Sequence, residues 1–103
     1  TELRRLLSIQ LAYNALSRAM NMREAGNIEG AICELECAKE ACPGLAYLHY
    51  DLACYYSLAG QKSKALMELE KALSIAPEYK QMAVEDKDLE TIKGEAEFEV
   101  LTR

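Results

Sequence analysis

Residues 34–44, ELECAKEACPG, return in altered form at residues 68–78 as ELEKALSIAPE, and this internal repeat limits the possible folds more than any other feature of the chain. Pro43 and Pro77 set the offset at 34 residues. The same offset joins Gly26 to Gly60, Ala31 to Ala65, Leu35 to Leu69 and Ala38 to Ala72. Each position has its own physical reason. Glycine permits a left-handed turn between paired helices. The alanines let two helix backbones approach closely, and the leucine fills the seam between them. Proline ends the second helix and directs the next unit. A period in this range marks stacked supersecondary units, each of which buries its apolar face against a neighbour.

The rest of the pattern is helical. Glu2 to Ala25 contain no Pro or Gly, and Ile9, Tyr13, Leu16 and Met20 recur three and four apart. One long helix is predicted there, stopped by Gly26. A second runs from Asn27 to about Ala41, a third from about Ala46 to Leu58, and a fourth from about Lys62 to Ala76. No stretch alternates with period two for long enough to make a strand. The predicted class is all-α, built of antiparallel helix-turn-helix repeats with a capping helical segment.

Composition narrows the functions. The chain has 103 residues, half of them apolar, enough for one small core. Its 17 acidic and 12 basic side chains give a net charge of −5, which opposes nucleic acid and anionic membrane surfaces as partners. No window reaches the length of a membrane span, and the opening TELRRLLSIQLAY lacks a signal-peptide cleavage site. The numbering begins at Thr1 without Met, which leaves a longer parent chain open. Cys33, Cys37, Cys42 and Cys54 are read as reduced packing thiols in the cytoplasm rather than a disulfide framework, because three of them lie on or beside one helix. Their spacing with His49 matches no common zinc motif, so no metal or other cofactor is expected. An enzyme is not expected either. His49 is the single histidine and no Gly-rich phosphate loop is present. The acid pairs Glu34/Glu36 and Glu68/Glu70 are read as solvated helix surface.

The stretch HYDLACYYSLAGQKSKALMELEKALSIAP resembles a tetratricopeptide repeat. His49, Leu52, Ala53 and Tyr56 stand in that motif's tryptophan, leucine, glycine and tyrosine slots, followed by Ala65, Leu69, Ala72 and Pro77. The first unit departs more, with Ala15, Arg18 and Met22 in the slots of the aromatic, leucine and tyrosine. The resemblance implies a first repeat over 12–45, a second over 46–79, an N-terminal helical extension over 1–11 and a C-terminal cap over 80–103. In the cap, a helix over about Glu78–Glu85 is expected, with Met82, Val84, Leu89, Ile92, Phe98 and Leu101 covering the last core face.

The resemblance also implies a function, a module that binds a peptide or partner helix in a concave groove. The groove slots carry over to Tyr13, Leu16, Ser17, Met20 and Arg23, then to Tyr47, Tyr50, Asp51, Cys54 and Ser57. Tyrosine and methionine suit such a surface because they bury large area or adapt to irregular shapes. The Lys/Asn/Arg clamp by which one branch of the family holds acidic chaperone tails is absent, its slots occupied by Leu16, Met20, Asp51 and Gln81. An apolar or mildly basic partner segment is therefore expected. Upstream, Leu3, Leu6, Leu7, Ile9 and Leu11 extend the apolar stripe past the helix they would pack on. This predicts a second contact, a homodimer first of all, to which Cys33, Cys37 and Met67 could add, and the alternative function is a structural self-assembly module that requires no outside ligand.

Overall fold

The computed structural model describes residues 1–103 and contains helices and turns but no strand. Four helices make two antiparallel pairs, α1 (Glu2–Glu24) with α2 (Ile28–Ala41), then α3 (Ala46–Leu58) with α4 (Lys62–Ile75). A 3₁₀ turn (Pro77–Tyr79) leads into α5 (Lys80–Glu85), and a second (Lys87–Leu89) into α6 (Glu90–Lys93) and α7 (Ala96–Thr102).

The repeat in sequence is a repeat in backbone geometry. Gly26 and Gly60 are the two glycines with positive φ, 85° and 78°, and no residue of another type has one. Around each, the turn closes in the same way. The Gly26 amide donates to the Arg23 carbonyl and Asn27 to Met22, while Gly60 donates to Ser57 and Gln61 to Tyr56, all between 2.8 and 3.0 Å. This Schellman arrangement satisfies carbonyls that the ending helix would leave bare, and its left-handed residue is the one without a Cβ. The prolines act equally at both units. Cys42 and Ala76, the residues before them, take nearly the same extended conformation (φ −143°, ψ 68° and φ −133°, ψ 80°). Proline excludes the α region for its predecessor, so α2 and α4 end there.

Gly94 lies a further 34 residues on but has an ordinary φ of −80°. The left-handed turn is therefore not made a third time. The segment after Pro77 instead docks on α3 and α4 as short helices.

The core follows the repeat. Leu35, Leu69, Ala31, Ala65 and Ala72 are fully buried, and Ala38 nearly so. Helix α3 lies between α2, α4 and the C-terminal segment, so it is covered nearly all round. The C-terminal segment adds Ala83, Leu89, Ile92 and Phe98 to this core, while Met82 and Val84 stay exposed, contrary to expectation. In the single turn and a half of α5 only one face can reach the core, and Ala83 occupies it.

Glu68 also departs from the sequence reading. It is buried beside His49, whose Nδ1 lies 2.8 Å from Glu68 Oε1, and it accepts from Lys39 Nζ at 2.8 Å. The other His49 nitrogen, Nε2, lies 2.6 Å from the Pro43 carbonyl oxygen, which can only accept. A buried carboxylate survives because it is paired on both oxygens. This cluster ties α2, α3 and α4 together. All four cysteines are free thiols, Cys33 and Cys37 exposed and Cys54 buried. No helix is long and apolar enough to cross a membrane.

Candidate functional site

The side chains that converge from α1, α3 and the C-terminal segment form a cavity of about 180 Å³. Met20 and Arg23 come from the last turns of α1. Tyr47, Tyr50, Asp51, Cys54 and Tyr55 come from one face of α3, where three- and four-residue spacing aligns them. Met82, Asp86 and Asp88 come from the C-terminal segment.

Of the groove residues expected from the sequence, Met20, Arg23, Tyr47, Tyr50, Asp51 and Cys54 gather here, but Tyr50 and Cys54 are buried in the core, so Met20 and Tyr47 are the apolar side chains left exposed among them. Tyr13 is exposed on α1 but lies outside the cavity, as does exposed Ser17. Leu16 belongs to the core, and Ser57 is fully enclosed with its hydroxyl unpartnered, so neither presents a side chain to the cavity. Tyr55, Met82, Asp86 and Asp88 were not expected. Tyr55 stands four residues after Asp51, on the same helix face, and that spacing was a usable signal. The D-x-D pattern of Asp86 and Asp88 was another. It forms an Asx turn in which Asp86 Oδ1 accepts from the Asp88 amide at 2.9 Å.

The electrostatics centre on one cation and three carboxylates. Arg23 holds Asp88 with both terminal nitrogens at 2.7 Å, a bidentate pair that fastens the end of α1 to the C-terminal segment. The same guanidinium lies 5.8 Å from the centre of the Tyr55 ring. Asp86 accepts from the Tyr50 hydroxyl at 2.9 Å and from the Cys54 thiol at 3.7 Å. The Tyr79 ring meets the Tyr47 and Tyr50 rings edge-on, with centroids 6.5 and 5.7 Å away. Asp51 has no such partner. Burial pushes its carboxyl up to about 6, with Asp86 and Asp88 adding to the rise and Arg23 opposing it. The Asp51 charge and then burial raise Tyr47, and burial pushes Tyr55 up to about 12.

Cys54, Asp86 and Asp88 lie close enough to share a metal ion. Their chemistry does not suit one. Burial and the nearby aspartates hold the Cys54 thiol far above its ordinary value, and Arg23 already neutralises Asp88.

A larger cavity of about 520 Å³ opens between α2 and α4, lined by Lys39, Glu40, Pro43, His49, Glu70, Lys71, Ser74 and Ile75. His49 with Glu68 has the pairing of a catalytic dyad, yet Nε2, the nitrogen that would serve a substrate, is held by the Pro43 carbonyl. The pair therefore acts as a brace between helices.

No family model matches this sequence, and no match is found among curated proteins or solved structures.

Proposed function

We propose that the chain is a tetratricopeptide-like interaction module, an adaptor or scaffold element without catalytic activity of its own, and that the α1/α3 face receives an extended peptide or partner helix. The observation that carries this reading is the convergence of the exposed Met20 and Tyr47, backed by the buried Tyr50 and Tyr55, with Arg23 and Asp51 in one open cavity. Such residues supply large contact area at small entropic cost, and a few charges among them set orientation. The identical turns at Gly26 and Gly60 support the tetratricopeptide assignment. A cytoplasmic setting accords with four free thiols.

A selection from a random peptide library, followed by calorimetric titration of the enriched peptides, tests the groove. Met20→Ala combined with Tyr47→Ala should weaken binding at least about tenfold, since central aromatic contacts carry most of such an affinity. Both side chains are half exposed, so the helical circular dichroism should not change. Peptides that bind the double variant as well as the parent would place the site elsewhere.

A second reading, self-association, rests on the exposed leucines at the start of α1. It uses a different surface and is compatible with the first.

A further inference from the structure

We infer that the cavity between α1, α3 and the Asp86–Asp88 turn receives a cationic side chain, a lysine or arginine of an extended peptide, with Asp51 as counter-charge and the half-exposed Tyr47 ring beside it. This rests on the groove reading above and names what the groove selects.

Size comes first. A cavity near 150 Å³ holds a guest the size of benzene, and about 180 Å³ holds one long side chain. A whole helix, roughly 10–12 Å across, does not enter it. The walls suit an amphipathic chain. Met20, Met82 and the tyrosines flank a methylene stem, while the charged end can reach a carboxylate, as lysine and arginine do elsewhere.

Charge then decides among long side chains. Asp88 and Arg23 neutralise each other, and Asp86 is engaged by the Tyr50 hydroxyl, the Cys54 thiol and the Asp88 amide. Asp51 lines the same cavity, partly buried, with no hydrogen bond or ion pair. A neutral apolar guest would fill the space but strip Asp51 of its remaining water, which costs free energy. An anionic guest would meet Asp51 and Asp86. A cation both donates to Asp51 and offsets its charge, where a neutral donor does only the first, and the exposed Tyr47 ring adds attraction for it.

Nuclear magnetic resonance titration of the isotopically labelled chain tests this with an acetylated, amidated alanine pentapeptide carrying lysine at its centre. The same peptide with norleucine or glutamate there serves for comparison. The lysine peptide should shift the amide signals of Tyr47, Asp51 and Tyr55 saturably, with Kd on the order of 1 mM. Norleucine should bind at least about tenfold more weakly, and glutamate should leave the signals in place. Asp51→Asn should erase the advantage of lysine over norleucine. Glu70→Gln, on α4 outside this cavity, should preserve it. Equal binding of lysine and norleucine, or a lysine preference that survives Asp51→Asn, overturns the inference while leaving the groove intact. Unmoved signals with all three peptides also overturn it, and the library selection then shows independently whether the groove binds at all.

Discussion

Helix α1 carries two different surfaces along one uninterrupted rod. From residue 12 onward its inner face is small and covered, with Ala12, Ala15, Leu16 and Ala19 all buried. Before residue 12 it is large and bare, with Leu3, Leu6, Leu7 and Leu11 each more than half exposed. Alanine on a helix marks a place where another backbone comes close. Leucine left in water marks a face whose neighbour is not supplied by these helices. The 23 residues of α1 span about 34 Å and the 14 of α2 about 21 Å, so the first turns of α1 extend past α2.

Removing one leucine from each kind of environment tests this contrast most strongly. Leu35→Ala, in the fully buried seam of α2, should cost about 2–5 kcal/mol in urea unfolding. Leu7→Ala should stay within about 0.5 kcal/mol. Similar losses at both sites would mean that the first turns of α1 are covered after all.

The C-terminal end of α1, beside the cavity, sharpens the comparison, because there the covered half meets unsatisfied charge. Asp51 titrates near 6 in the folded chain against an ordinary 3.8. The folded state therefore binds more protons than the unfolded state between those values, and stability contributed by the neutral carboxyl is lost as pH rises from about 4 through 6. Asp51→Asn should accordingly stabilise the chain near neutral pH, by about 1–2 kcal/mol allowing for partial solvent access, and by almost nothing near pH 3.5. A variant less stable than the parent near neutral pH would mean that Asp51 already has a cationic partner. Arg23→Ala is a smaller change of opposite sign. It leaves Asp88 alone at the foot of the C-terminal segment, and because Arg23 is about a third exposed the loss should be about 1 kcal/mol. Amide exchange should quicken over residues 86–93 before it does in α3.

Much of this architecture was legible from the sequence because its determinants are local. Gly26, Gly60, Pro43 and Pro77 act on their own backbone and neighbours, so the helix ends follow from residue type. The α3 part of the cavity was also readable, since a helix face is periodic. Asp86, Asp88 and Met82 were not, because their place depends on how an aperiodic segment folds back over α3, a tertiary fact. The same limit explains Glu68. Its position within α4 looks like one of two outward acids, and only its meeting with His49, nineteen residues earlier, makes it a core residue. Ser57 was misplaced for a related reason, since α3 is enclosed on more sides than a helix of an open groove would be.

The smallest expected effect on stability belongs to the bare half of α1, and it discriminates between neighbours. Leu6→Lys together with Leu7→Lys should change unfolding by no more than about 0.5 kcal/mol, since both side chains already face water. In solution, light scattering over a range of concentrations, with reductant present to exclude disulfides through Cys33 and Cys37, should read differently. Four leucines form a stripe well below the ~1,200–2,000 Å² that stable interfaces bury, so a dimer formed through it alone should be weak and concentration-dependent. If the parent chain dimerises at high concentration and the lysine pair abolishes this, the neighbour is a second copy laid along α1. If the parent is monomeric throughout, a second copy is not the neighbour of the stripe, and the self-association reading fails.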